Sequence, residues 1–109
     1  MQPIPVPRGL EPEHLVALTG RLDASSVGDV RASLYRAIDQ STAPVVIDLS
    51  AVHTIDATGL GMLIGAQRRA DAAGRSVVLR AVPARVTRLL RATRLDRVLQ
   101  VEAPAGLSV

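Results

Sequence analysis

The apolar residues of this chain follow two different spacings. Continuous apolar runs predict strands at 14–20, 45–50, 76–82 and 98–101. Between these runs, apolar residues recur every three or four positions, as they do on one face of a helix. This spacing predicts one helix over 25–40, a second that ends at Gly74 and a third with Pro83 in its first turn.

Strands that alternate with helices of this length are typical of an α/β layer fold with a mainly parallel sheet. Proline recurs at alternate positions near the start of the chain, so we expect residues 1–12 to form an N-terminal edge strand. The prediction is a single domain over 1–109, with four to five strands, about three helices and a short C-terminal tail at 102–109. In such a sheet, function tends to lie beyond the carboxyl ends of the strands.

Composition removes several classes of function. The 109 residues include no Cys, no Lys, no Phe, no Trp and one Tyr, and all 13 basic residues are Arg. Thiol catalysis, lysine Schiff bases and lysine-containing phosphate loops are therefore excluded. The two histidines, His14 and His53, lack a metal-binding spacing, so we expect no metal and no cofactor. Because aromatic rings for base stacking are missing, we expect no direct nucleic-acid binding.

Hydropathy and charge bear on location and partners. No apolar run approaches the roughly 20 residues that span a bilayer, so we expect a cytoplasmic protein without membrane insertion. Residues 1–64 carry four Arg and seven acids, net −3, whereas 65–109 carry nine Arg and three acids, net +6. Four arginines recur every third residue on the third predicted helix, at positions 85, 88, 91 and 94. The default interpretation is a solvated outer face, and an acidic partner is the alternative.

The segment 55–61, IDATGLG, lies between the second predicted strand and the second helix. Its glycines are not spaced as in a dinucleotide-binding loop, which favours glycines that let the helix pack closely on the sheet. Ser50, His53 and Asp56 are the residue types of a hydrolase triad. No G-x-S-x-G motif accompanies them, so three polar loop residues are the better interpretation.

Two interpretations of Thr58 remain open on physical grounds alone. In the first, Asp56 or Thr58 caps the helix N-terminus, which stabilises a helix by about 1 kcal/mol. In the second, Thr58 accepts a phosphoryl group, whose charge the helix N-terminus would stabilise. Such a phosphate would add roughly −1.5 to −2 charges beside Asp56, which a docking partner would sense.

Three segments together resemble the STAS family, the sulfate transporter and anti-sigma factor antagonist domain, over roughly residues 13–101. They are LTGRLDASS at 18–26, PVVIDLSAVHTIDATGLGMLIG at 44–65 and VPARVTRLLRATRLDRVLQV at 82–101. The resemblance implies a non-enzymatic bacterial regulator of the partner-switching type. Such an antagonist binds an anti-sigma factor, a serine/threonine kinase with a histidine-kinase-like ATPase fold, and thereby releases a sigma factor for transcription. The kinase ends the interaction by phosphorylating the antagonist, and a phosphatase resets it.

The family motif D-S-S-G-L-G carries its phosphate acceptor at the second Ser. Asp56 matches the motif's Asp, Ala57 replaces its first Ser and Thr58 stands at the acceptor position. The remaining matches are Gly59, Leu60 and Gly61. Asp23, in GRLD, matches an acid that lies near the acceptor in the family. The resemblance therefore implies phosphorylation of Thr58, with these neighbours supporting the acceptor site and contacting the partner.

A second function stays open from the same resemblance. STAS-like domains also occur as small cytoplasmic partners of membrane lipid transporters, where they support an ATPase subunit. In that role Thr58 would contact the partner without being phosphorylated. A small enzyme is a third alternative, which the absence of Lys, Cys and any base-and-nucleophile pair disfavours.

Overall fold

The computed structural model describes residues 13–40 and 42–102. Three strands alternate with three helices, followed by a 3₁₀ helix at Leu95–Arg97. The strands are β1 (His14–Leu22), β2 (Val45–Ile55) and β3 (Val77–Arg80), and the helices are α1 (Val27–Gln40), α2 (Ala57–Ala72) and α3 (Ala84–Ala92). The central strand, β2, pairs in parallel with β1 on one side and β3 on the other. This arrangement confirms the predicted α/β class and parallel sheet.

The described residues contain three strands, fewer than the four to five predicted. The predicted edge strand at 1–12 lies outside the described residues. The predicted strand at 98–101 is reduced to a single bridge between Leu79 and Val101. The physical reason lies just upstream, where Arg94 takes a left-handed conformation (φ 60°) and the 3₁₀ helix follows. The N–H groups of residues 98 and 99 bond back to the carbonyl of Leu95, so only the next few residues can pair with β3.

The core lies between the sheet and the helices and consists almost entirely of aliphatic side chains. Three successive residues of β2, Val45, Val46 and Ile47, are all buried, as expected for the centre of a parallel sheet. Parallel crossovers are right-handed, which places α1 and α2 on the same face, where they pack against each other. Each fully buried Leu or Ile contributes roughly 1.5–3 kcal/mol to this packing.

Of the three glycines of α2, Gly59 packs closely on the sheet as predicted, Gly65 faces α1 instead, and Gly61 contacts neither. A Cβ atom at Gly59 would overlap the carbonyl oxygen of Leu22, and one at Gly65 would lie 2.6 Å from the hydroxyl of Tyr35. A Cβ atom at Gly61 would meet nothing within 4 Å. The helix ends as predicted, because Gly74 has a φ of +68° that favours glycine after a helix C-terminus.

Two irregularities in the pairing of β1 with β2 place the loop that follows β2. The register shifts between Ala17 and Thr19, and again between Gly20 and Arg21. In each case β2 contains one residue more than β1, so Leu22 ends opposite Ile55. Without the two shifts, Leu22 would lie opposite His53. The irregularities therefore bring the ends of the two strands level and set residue 56 beside the end of β1.

Candidate functional site

Asp56 is the N-cap of α2. Its Oδ1 atom accepts a hydrogen bond of 3.0 Å from the N–H of Gly59, and its carbonyl oxygen accepts the N–H of Leu60 at 2.9 Å. Its own N–H donates to the carbonyl oxygen of Leu22 at 3.2 Å, which ties the cap to β1. Of the two capping candidates, Asp56 and Thr58, the structure selects Asp56.

Thr58 lies in the first turn of α2 with its side chain exposed. Within residues 13–40 and 42–102, its hydroxyl makes no hydrogen bond, because the cap already satisfies the nearby N–H of Gly59. The hydroxyl therefore points to no internal partner and stays available to an external one. Backbone N–H groups of a first helical turn lack intrahelical acceptors, so this position suits an added anionic group.

Asp23 lies directly after β1, at the level of Asp56 after β2. One carboxylate oxygen accepts hydrogen bonds from the N–H of Ser25 at 3.0 Å and from its hydroxyl at 2.6 Å. The other oxygen forms an ion pair of 3.1 Å with Nε of Arg21, and the side chain keeps 18% of its exposure. The pKa of Asp23 is lowered, first by the hydroxyl of Ser25, then by its N–H and by the charge of Arg21. Asp23 is therefore held as an anion with a fixed orientation.

Some of the other motif residues are exposed to solvent and the rest are buried. Ala57 and Gly61 are exposed, whereas Gly59 and Leu60 are buried. Gly59 faces Leu22 and Ile55, so close packing requires glycine at this position. The exposed part of the motif therefore consists of Asp56, Ala57, Thr58 and Gly61.

An open groove of about 280 Å³ lies next to this loop, between the end of β2 and the start of α3. His53 and Ile55 line one side, and Arg85 and Leu89 line the other. The guanidinium group of Arg85 donates a hydrogen bond to the carbonyl oxygen of His53 and so fixes α3 against β2. We call this feature the β2–α3 groove. Its basic and apolar lining adjoins the exposed side of the Asp56 loop.

The structure does not assemble the residue types of a hydrolase triad. Ser50, His53 and Asp56 are all exposed, and no hydrogen bond joins any two of them in the part of the chain that the structure describes. Instead, the N–H of Ser50 donates to Oδ1 of Asp48 at 2.8 Å. Within the same ranges, no three His, Asp or Glu residues lie close enough together to hold a metal ion.

Two elements of the site escaped the sequence analysis. Ser25 fixes the carboxylate of Asp23, and the signal that could have found it is Asp-x-Ser, a pattern in which the Asp side chain bonds to the backbone two residues on. Arg85 was considered only as part of an outer face. No local signal marks its contact with His53, because the two residues are 32 positions apart in the chain.

A match to a protein-family model shows which family the chain belongs to. The model described as "Mlab, STAS domain" matches residues 9–101. The chain belongs to the STAS domain family. The resemblance seen in the three sequence segments is thus confirmed, and the loop of Asp56 and Thr58 is a feature of a STAS domain.

A curated relative of this STAS domain is the anti-sigma F factor antagonist of Lysinibacillus sphaericus, which is 34% identical over 71 residues. The match spans 63% of this chain and 61% of that relative, so the chain covers less than two thirds of the relative's length.

Solved structures of STAS domains have the same fold. SpoIIAA, an anti-sigma factor antagonist, matches in its unphosphorylated form with a TM-score of 0.64, 18% identity and coverage of 84% of this chain and 79% of that one. The phosphorylated form of SpoIIAA, from Bacillus, matches with a TM-score of 0.62, 20% identity and coverage of 82% and 81%. The STAS domain of the SulP transporter of Vibrio cholerae matches with a TM-score of 0.66, 17% identity and coverage of 93% and 78%. At these identities the likeness establishes the fold alone.

In the described ranges of this STAS domain, no helix is both long and apolar enough to cross a membrane. The longest helix, α2, has 16 residues and includes two adjacent arginines, Arg68 and Arg69.

Proposed function

We propose that this STAS domain is an anti-sigma factor antagonist that binds an anti-sigma factor kinase and is released by phosphorylation of Thr58. The observation that carries the proposal is the exposed, unbonded hydroxyl of Thr58 in the first turn of α2. The curated relative named an anti-sigma F factor antagonist supports the same role. In this role the protein acts in the cytoplasm, as a single domain, and has no catalytic activity of its own.

In the phosphorylation reaction this domain is the substrate, and the kinase is the catalyst. Oγ of Thr58 attacks the γ-phosphorus of ATP, the bond from that phosphorus to the β–γ bridging oxygen breaks, and ADP leaves. The proton of the hydroxyl passes to a base that the kinase supplies. A Ser or Thr acceptor must reach the active site of another protein, and Thr58 meets this requirement because it is exposed and free of internal hydrogen bonds.

Phosphorylation of Thr58 adds a large negative charge to the exposed loop that contains Asp56. The product carries roughly −1.5 to −2 charges. Those charges lie beside the carboxylate of Asp56, with the ionised carboxylate of Asp23 at the end of the neighbouring strand. A partner surface that fits the neutral hydroxyl would then face a phosphate next to Asp56, at the same end of the sheet as Asp23. Like-charge repulsion and the cost of desolvating the phosphate would weaken the complex.

The β2–α3 groove adds a second feature that suits a protein partner. It adjoins the acceptor loop and combines apolar lining from Ile55 and Leu89 with the cation of Arg85. A kinase that reaches Thr58 would cover this groove at the same time. We therefore place the edge of the kinase contact at the groove and its centre at Thr58.

The experiment that tests the proposal is affinity capture in lysate of the organism that encodes the chain, with ADP and magnesium present. The wild type, Thr58→Ala and Thr58→Glu serve as matched baits, and mass spectrometry identifies what each retains. The proposal requires an anti-sigma factor kinase that is retained by wild type and Thr58→Ala and lost with Thr58→Glu.

Two other outcomes would overturn it. Equal retention of the kinase by Thr58→Ala and Thr58→Glu would show that charge at this position does not control binding. Capture of a membrane lipid transporter ATPase in equal amounts by all three baits would make the domain a structural subunit. Thr58 would then be a simple contact.

A further inference from the structure

A second surface lies beside α3, on the opposite side of that helix from the β2–α3 groove. A partly enclosed cavity of about 350 Å³ opens there between the residues that follow β3, the outer side of α3 and the segment around Val101. Its apolar lining includes Val82, Leu90 and Val101. We call it the α3 cavity. Its size suits one or two apolar side chains.

Apolar groups are unusually exposed around this cavity. Val98 keeps 48% of its exposure and Val101 keeps 37%, and both belong to the short segment that borders it. Among the described residues, the only other exposed large hydrophobic residue is Leu15, on β1. Two of these three residues therefore belong to the segment beside the α3 cavity.

Four exposed arginines lie on α3 and in the segment that follows it, and one of them, Arg91, lines the cavity. Arg88 lies one helical turn from Arg91 on the same side of α3. Arg94 precedes the 3₁₀ helix that follows, and Arg97 is the last residue of that helix. All four are exposed, and in residues 13–40 and 42–102 their guanidinium groups have no ion pair or hydrogen bond.

The acids near the cavity do not neutralise this charge. Glu102 lines the cavity, but it is already paired with Arg80 at 3.0 Å. Asp96 also lines the cavity and makes no ion pair within the described ranges. Asp96 is therefore the one unpaired acid among the described residues of the lining, and the four exposed arginines at 88, 91, 94 and 97 give α3 and the segment after it a net positive charge.

This surface and the loop of Thr58 lie beside the ends of different strands: the cavity adjoins the end of β3, and the loop follows β2. β3 ends at Arg80, which pairs with Asp48, while β2 continues for seven more residues to Ile55. At about 3.3 Å per residue, the loop of Asp56 lies roughly 20 Å further along the sheet than the end of β3. A partner at the α3 cavity would therefore leave the acceptor hydroxyl accessible.

We propose that the α3 cavity and the four arginines form a second docking surface, which binds an acidic protein segment and takes one of its apolar side chains into the cavity. The carboxylates of the segment would form charge-assisted hydrogen bonds with Arg88 and Arg91. The proposal is independent of the function of Thr58.

The shape and composition of the surface favour a protein over other anions. A lipid surface is bound by apolar side chains that protrude into it, whereas here the apolar groups line a concavity. Single-stranded nucleic acid is usually bound with aromatic side chains that stack on bases, and the chain has one Tyr and no Phe or Trp. An apolar cavity lined by Arg91, on a helix that carries further exposed arginines, instead fits a peptide that combines acids with a Leu, Ile or Val.

The test is selection of short random peptides, displayed on phage, on the immobilised full chain. We expect the enriched peptides to be rich in Asp and Glu around at least one aliphatic residue. A fluorescein-labelled copy of an enriched peptide is then titrated by fluorescence anisotropy. The double variant Arg88→Gln/Arg91→Gln should bind it about tenfold more weakly or worse, and binding should weaken as salt increases.

Three further variants make the result specific. Thr87→Gln, which adds bulk at a residue lining the cavity, should also weaken binding. Arg68→Gln removes one exposed, unpaired arginine of α2 and should bind as wild type does. Thr58→Glu should likewise have no effect. Circular dichroism melting verifies that every variant is folded before binding is compared.

Several outcomes would overturn the proposal. These are failure to enrich any peptide, enrichment without acidic residues, an equal loss of binding in Arg68→Gln, and loss of binding in Thr58→Glu. Displacement of the peptide by single-stranded DNA or by phosphatidylglycerol vesicles at lower concentration than by unlabelled peptide would assign the surface to that other anion. Loss of binding in Thr58→Glu would place the peptide at the acceptor loop, and the other outcomes do not bear on the kinase interaction, so the two proposals fail separately.

Discussion

The backbone of Gly59 lies directly against the carbonyl oxygen of Leu22, and a Cβ atom at position 59 would also lie 2.8 Å from Cγ1 of Ile55. The same oxygen of Leu22 accepts the N–H of Asp56. The carbonyl oxygen of Leu22, at the end of β1, thus contacts both the N-cap and the first turn of α2. This contact fixes where Thr58 stands, because Thr58 lies between the two residues that touch Leu22.

Glycine should be required at position 59 and dispensable at position 61. Gly59→Ala forces a methyl group into backbone and should destabilise the fold by about 1–3 kcal/mol. Gly61→Ala meets no neighbour and should raise stability by up to about 1 kcal/mol, because alanine is the better helix former. Urea denaturation of both variants measures the difference. Equal effects of the two substitutions would show that Leu22 does not restrict the start of α2.

The cap of α2 should depend on an acceptor at position 56 and not on charge. Asp56→Ala removes the acceptor for the N–H of Gly59 and should cost about 1 kcal/mol of unfolding free energy. Asp56→Asn keeps a side-chain oxygen and should stay close to wild type. Amide hydrogen exchange of Gly59, measured by NMR, reports the bond itself. Faster exchange in Asp56→Asn, matching that in Asp56→Ala, would contradict the assigned cap.

The carboxylate of Asp23 should titrate below its ordinary value of 3.8, because the hydroxyl and N–H of Ser25 stabilise the anion. Its contribution to stability is therefore complete above that value and is lost as the pH falls through the lower pKa of the folded state. Carbon-13 NMR of the carboxyl group measures the midpoint directly. Ser25→Ala should move that midpoint upwards, and Asp23→Asn should lack this part of the acid dependence. A midpoint that does not change in Ser25→Ala would contradict the proposed cause.

Substitution of Thr58 should alter binding without altering the fold. Its side chain is exposed and makes no internal hydrogen bond, so Thr58→Ala and Thr58→Glu should both stay within about 0.5 kcal/mol of wild-type stability. In Thr58→Glu, attraction to the helix N-terminus and repulsion from Asp56 act in opposite directions. Thermal melting followed by circular dichroism measures the stability of both variants relative to wild type. A large destabilisation in either variant would mean that binding results cannot be attributed to charge alone.

Local patterns predicted most of the fold. The buried run of β2, the helical spacing in α1 and Gly74 after α2 all act through neighbouring residues, and each was located correctly. The prediction of a strand at 98–101 was wrong, because apolar residues in a short run do not reveal the left-handed turn at Arg94. Thr93, which continues the helical spacing of Val86 and Leu90, is exposed just after α3 for the same reason.

The site was predicted from its motif, whereas its geometry depends on contacts distant in sequence. The pattern around Asp56 placed it and Thr58 at a helix start, but it left both residues as candidates for the cap. The two register irregularities between β1 and β2 bring Leu22 to Ile55, and no local pattern in the sequence marks them. The contact of Arg85 with His53 depends equally on how α3 returns across the sheet. Such features follow from packing of the whole domain and not from any segment.

The most direct test of control through Thr58 is to map phosphate on the chain itself. The purified protein is incubated with ATP, magnesium and lysate of the organism that encodes it, and tandem mass spectrometry locates the modified residue. Ser25 and Ser26, which lie near the end of β1, provide internal comparisons, and Thr58→Val is the matched control. We predict one phosphate, on Thr58, that is absent from Thr58→Val. Phosphate on another residue, or none while other proteins in the lysate are phosphorylated, would contradict the proposed switch.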